Sequence, residues 1–163
     1  MKKYMVACYV KNALLWRNRN PEEMIECNRA YFEKKLSGSD TMEFVDVYVD
    51  VTGHKETYKR PEMIRLIYDF MNDRINFIYA RTSGYIAANA HELCMLMEFL
   101  FEQNKEINFY TEDPVYQFNT IDNNDNQLEE LKRMAKAYSI AYADDYLFWK
   151  SKLTEQIEKI SHM

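Results

Sequence analysis

The chain has 163 residues, 26 acidic and 21 basic, for a formal net charge of -5. With 47% hydrophobic residues and only 3 Gly and 3 Pro, the composition fits one packed globular domain, with or without an extension, and excludes a disordered chain. The acidic balance argues against a domain that grips DNA by itself, since such domains carry a basic face that neutralises phosphates.

Tyr4 to Val10 is a continuous apolar run, the pattern of a central strand buried on both faces. Lys11 and Asn12 interrupt the apolar start too early for a signal peptide, so the N-terminus reads as core strand. Asn20 and Pro21, followed by Glu22 and Glu23, open a helix carrying Met24, Ile25, Cys27, Tyr31, Phe32 and Leu36 on one side. Ser37-Gly38-Ser39-Asp40 ends it, and Met42 to Val51 forms the second strand. Pro61 starts a second helix with Met63, Ile64, Leu66, Ile67, Phe70 and Met71 inward. Ile75 to Ala80 is a third strand, followed by a loop at Thr82-Ser83-Gly84. A third helix runs from about Ala88 to Gln103, and Ile107 to Tyr110 is a fourth strand. This βαβα order predicts an α/β fold: a mostly parallel sheet of four to five strands with helices on both faces.

Thr111 to Asn126 is polar and turn-rich, with Pro114 and the cluster Asp122-Asn123-Asn124-Asp125. Gln127 to Ile160 contains neither Pro nor Gly and reads as a long C-terminal helix. Residues 1–126 are therefore assigned to the α/β domain and 127–163 to a helix for self-association or fold-back. The apolar stripe of Leu128, Leu131, Tyr138, Tyr142, Leu153 and Ile157 needs a cover. A second chain is the expected one; a break near Asp144-Asp145 with return to the domain is the alternative.

Most chemistry-bearing residues have an ordinary explanation. Cys8, Cys27 and Cys94 lack C-x-x-C or Cys/His spacing and read as small buried hydrophobes. His54, His91 and His162 have no metal-ligand spacing. The 122–125 cluster lacks the glycine and the bidentate glutamate of a calcium loop and reads as a turn plus helix cap. Ser83 has no Gly-x-Ser-x-Gly elbow and no recognisable histidine pairing. Lys132, Arg133 and Lys136 occupy neighbouring helix positions, where a solvated face and a phosphate contact are both open. The Tyr146-Leu147-Phe148-Trp149 patch reads as packing rather than base stacking. No metal or cofactor is called for, and no span reaches transmembrane length, so a cytoplasmic protein is expected.

One combination is more specific. Asp50-x-Thr52-Gly53 follows the second strand, and Arg60-Pro61 opens the second helix with Leu66 and Ile67 behind it. Tyr9-Val10-Lys11-Asn12-Ala13 closes the first strand. This arrangement resembles the catalytic domain of resolvase/invertase-type serine recombinases, whose patterns read Tyr-x-Arg-x-Ser, then D-x-x-(S/T)-G and R-P. Ile75 through Leu100 and Ile107-Asn108-Phe109 also match, so the resemblance spans about Tyr4 to Ala143. It implies a resolvase-like fold followed by a dimerisation helix.

The departures fall on the chemistry. In the family, a serine attacks the scissile phosphate while arginines neutralise the charge that develops. Ala13 stands at the nucleophile position, Lys11 replaces an arginine, and neutral Gly84 and Ala87 stand where two further arginines are expected. The vestigial pocket is then Tyr9, Lys11, Ala13 and Arg60, and the phosphate-contact candidates are Lys11, Arg60, Arg81, Lys132, Arg133 and Lys136. The implied protein is a recombinase-like pseudoenzyme of the mobile-element type, without the family's C-terminal DNA-binding domain. Its expected partners are itself, as a dimer, or an active recombinase, with weak DNA binding at most and no membrane. An active recombinase and a small ligand-binding α/β module are the alternatives, although no phosphate-binding glycine loop is present.

Overall fold

Nine residues, Tyr4–Asn12, form β1 at the interior of the sheet, and the strand's centre is wholly buried. Val6, Cys8 and Val10 face one layer while Ala7 and Tyr9 face the other, the period-two alternation of a strand covered on both sides. This is a computed structural model describing residues 3–12, 20–113, 117–121 and 126–162. Ala13, Pro114 and the 122–125 cluster lie outside the described residues.

Helix α1 (Pro21–Leu36) begins at Asn20, whose side chain accepts from the Glu22 amide. It ends at Ser37 and Gly38, the latter at φ 79, where a side chain would be strained. Strand β2 (Met42–Val51) leads through a 3₁₀ turn (Thr57–Lys59) into α2 (Pro61–Met71). Next come β3 (Phe77–Ala80), the short α3 (Ser83–Ile86), α4 (Ala90–Glu102) and β4 (Asn108–Thr111). Asp73 and Asn104, just past α2 and α4, take positive φ values that these residue types tolerate better than most. The sheet has four strands in the order β2-β1-β3-β4, all parallel. The expected α/β architecture is borne out.

Edge strand β2 is clasped from both sides. Asp46 accepts from Arg29 of α1 at 3.1 Å and from Arg65 of α2 at 3.0 Å, joining the two helical layers across the sheet edge. Arg65 also forks onto Glu62 at 2.8 and 2.9 Å and stacks over the Tyr48 ring at 4.0 Å.

The long C-terminal helix is divided at Tyr142. Helix α5 (Gln127–Ala141) and helix α6 (Ala143–Ser161) meet at this residue, whose φ -120 and ψ 49 lie outside the helical region. The division lets two apolar faces meet one core. On α5, Leu131 and Ala135 are buried; on α6, Tyr146, Trp149, Leu153 and Ile157 are buried at spacings of three and four. Asp144 and Asp145 then occupy the first turn of α6, where the helix dipole favours negative charge. Much of the stripe expected to need a second chain is thus covered by the chain itself. Apart from Met134, the large apolar side chains that stay exposed among the described residues gather around the break: Ile140, Tyr142, Leu147 and Phe148. Among the described residues no helix is long and apolar enough to cross a membrane.

Leu153→Ala should cost about 2–5 kcal/mol in urea unfolding, the usual range for truncating a buried leucine. Leu147→Ala, on the exposed side, should stay within about 0.5 kcal/mol. Equal effects at the two positions would show that α6 does not pack on its own domain.

Burial alone would raise the pKa of Asp46, but Arg65, the Val47 amide and Arg29 outweigh it and the net shift is downward. A carboxylate lowered on folding stabilises the protein above its unfolded value of about 3.9, and that stability is lost as pH falls through the lower folded value. Asp46→Asn should therefore lower stability at neutral pH and flatten its decline below about pH 4. Parallel stability-pH curves for the two proteins would count against the clasp.

Candidate functional site

In a parallel sheet the loops at the carboxyl ends of the strands form the usual ligand edge, and the order reverses between β1 and β3. At this edge Lys11 of β1 lies in register with Asp50 of β2, and Tyr9 with Tyr48. Asp50 is buried, and its carboxylate serves three elements. It accepts from the Tyr9 hydroxyl at 2.8 Å and from the Glu62 and Met63 amides, both at 2.9 Å. The last two are free donors of the first turn of α2, so Asp50 caps that helix from outside it. Burial raises the Asp50 pKa, against the pull of the Glu62 amide, the Tyr9 hydroxyl and the Met63 amide. Burial, then Asp50, pushes the Tyr9 phenol far above its ordinary value, so Tyr9 is a neutral donor.

Arg60 has no exposed surface. Its guanidinium donates to four main-chain carbonyls: His54 and Lys55 from the loop after β2, and Tyr85 and Ile86 from α3. Arg60, a phosphate-contact candidate by the resemblance, thus has its donors engaged by the protein's own backbone. Five fixed donors suit a planar cation to gathering carbonyls, and here they bind two loops together. Thr52 extends the arrangement, its amide donating to the Asn12 carbonyl and its hydroxyl accepting from the His54 amide.

Of the remaining phosphate candidates, Lys11 and Arg81 leave neighbouring strands at this same edge, just past the paired Tyr9 and Ala80, whereas Lys132 lies elsewhere. Lys11 is partly exposed and has no hydrogen-bond or ion-pair partner among the described residues. Burial, then the Arg60 charge, lowers its pKa, with Asp50 opposing. Arg81 packs over the Tyr31 ring at 4.5 Å, and the Tyr31 hydroxyl donates to Glu112. Lys132 pairs with Glu129 at 3.7 Å and approaches Phe101, beside the segment that enters β4 at its opposite, amino end. Arg133 and Lys136 are exposed on α5.

Ser83 is a local structural residue: its hydroxyl donates to Asp113 at 3.0 Å, and its amide donates to the same carboxylate. His91 Nδ1 lies 2.6 Å from the Tyr138 hydroxyl, linking α4 to α5. Among the described residues no cluster of His, Cys, Asp and Glu has the arrangement of a metal site. Cys8 and Cys94 are buried with raised thiol pKa values, burial being the main cause in both. Cys27 is exposed, a correction to the buried role expected from its apolar neighbours.

Glu92 was not singled out in the sequence. It is buried at the start of α4, where one carboxylate oxygen accepts from the Thr57 amide at 2.8 Å, the Thr57 hydroxyl at 3.2 Å and the Trp149 indole at 3.0 Å. It thereby ties α6 to the loop that Arg60 organises. The spacing Asn89-x-x-Glu92, three residues as in a capping box, was the available signal. Asn89 does cap the Glu92 amide, but the carboxylate turns inward to other elements.

No protein-family model matches the sequence, and comparison with curated proteins gives no match. Among solved structures, the chain is similar to the N-terminal catalytic domain of TP901-1 integrase, with a TM-score of 0.56 at 16% identity. The match covers 85% of this chain and 96% of that one. The likeness is one of fold: this chain has the resolvase-like architecture of a serine-integrase catalytic domain.

Replacing Arg60 by Met keeps much of the volume but orphans four carbonyls. At about 1–3 kcal/mol per unsatisfied buried group, Arg60→Met should lose more than about 3 kcal/mol in urea unfolding. A variant within about 0.5 kcal/mol of the parent would contradict the structural role and leave the cation available for other work.

Proposed function

We propose that the chain is a recombinase-type domain that does not cleave DNA and acts by association, with itself or with an active recombinase. The observation that carries this reading is the commitment of Arg60 to four carbonyls. Of the family's phosphate-neutralising groups it alone matches without ambiguity, and it is turned inward. Ala13 offers no hydroxyl for attack on a phosphodiester, and Gly84 and Ala87 add no charge. Losing even one stabilising donor costs about 10²–10³ in rate. Without a nucleophile, and with Lys11 the one uncommitted cation at the matched positions, a working recombinase is the poorer reading.

Association is supported by the exposed apolar side chains around the α5–α6 break, where Leu147 is 63% and Phe148 57% exposed. Clustered apolar surface of this kind is a common mark of a protein–protein contact. The net charge of -5 supports weak, salt-sensitive DNA binding, near or beyond the weak end of the non-specific range of about 10⁻⁴–10⁻⁶ M.

Two measurements on one preparation test the reading. Incubation with supercoiled DNA, quenched in SDS, should give no covalent protein–DNA species. Sedimentation at micromolar concentration should show a mass above the monomer that falls to the monomer in Leu147→Asp/Phe148→Asp. A covalent complex would overturn the non-cleaving role. A parent protein that is strictly monomeric and fails to bind an active recombinase would overturn association.

A further inference from the structure

Between the end of α6 and the start of α2 lies a cavity of about 500 Å³, lined by neither Asp50 nor Tyr9 and within the usual size range of small-molecule sites. Pro61, Ile64 and Ile160 give it an apolar surface, and Tyr58 adds an aromatic ring. Among the described residues the polar groups around it are His54, Lys59, Gln156 and Lys159, and no carboxylate side chain lines it. One wall comes from the loop and 3₁₀ turn after β2, the other from the last turns of α6.

These polar groups are poorly used by the protein. The side chains of His54, Tyr58, Gln156 and Lys159 have no hydrogen-bond or ion-pair partner among the described residues. Among the described residues Lys59 pairs with Glu56 alone, at 3.9 Å and in partial contact with solvent, a pairing of little energetic value. Burial, then Glu56 and Glu92, raises the Tyr58 pKa, so its hydroxyl remains a neutral donor. Glu155 and Glu158 lie beside Lys159 in an adjoining depression and do not enter this cavity.

We propose that this cavity binds a phosphate monoester with an aromatic or apolar body, the chemical class of nucleoside monophosphates, and that the bound molecule holds the end of α6 against α2. Two ammonium groups balance the double negative charge of a phosphate monoester, whereas a carboxylate would leave one uncompensated. The His54 ring and the Tyr58 hydroxyl add donors, and the apolar surface and tyrosine ring accept the body. Because the walls belong to different elements, occupancy stabilises the docked position of α6 by mass action.

Adenosine 5′-monophosphate is the probe, with inorganic phosphate and adenosine titrated separately by calorimetry. Hydrogen exchange is followed across 57–64 and 153–161. The nucleotide should bind saturably and slow exchange in both segments, while each fragment alone binds at least about tenfold more weakly. Lys159→Glu, an exposed change that should leave stability within about 0.5 kcal/mol, should weaken nucleotide binding at least about tenfold. Several outcomes would overturn the proposal: no saturable binding, equal binding of inorganic phosphate, unchanged affinity in Lys159→Glu, or protection that omits 153–161.

Discussion

A single buried carboxylate, Asp50, joins the end of β1, the end of β2 and the start of α2 through one phenol and two amides. Burying a charge is costly unless hydrogen bonds replace its lost water, and three donors do that here. The arrangement positions Pro61 and therefore the direction in which α2 leaves the sheet. Arg60, one residue before, faces the complementary problem. It is a buried cation surrounded by carbonyl oxygens that would otherwise lack donors. The Asp50 and Arg60 side chains together turn a run of loop into a fixed edge. Residues of the recombinase-like motifs hold the backbone in shape.

The C-terminal helices depend on this edge through Glu92. Thr57 belongs to the turn Arg60 terminates, and Trp149 belongs to α6; both donate to the same oxygen. Trp149 also meets Phe99 and Tyr146, so polar and aromatic contacts converge at one point of the helix. Loss of a partner would leave Glu92 buried with fewer donors, a state more costly than either exposed ion pair in α5 and α6 could offset. The docking of α6 is consequently linked to the loop after β2, and these two elements wall the cavity of about 500 Å³ between them. The exposed apolar patch and the cavity draw on opposite parts of α6: its first turns and its last.

The sequence alone determined the sheet and its helical cover. Apolar runs at β1 and β3, the Asn20-Pro21 and Arg60-Pro61 helix starts, and the helix-period stripes are local signals, read from a few neighbouring residues. Strand ends were less well placed: β3 begins at Phe77 rather than Ile75, and β4 at Asn108 rather than Ile107, because pairing with neighbours decides where a ladder starts. Only the tertiary structure decided what the polar residues do. Nothing near Arg60 in sequence says that carbonyls 25 and 26 residues away will consume its donors. Nothing near Glu92 announces an indole 57 residues away. The division at Tyr142 has the same origin: with no Pro or Gly to stop it, α5 ends because bending there lets Leu153 and Ile157 reach a core assembled by other elements. Periodicity is written along the chain, whereas hydrogen-bond satisfaction and the burial of an apolar face depend on which distant groups the fold brings close.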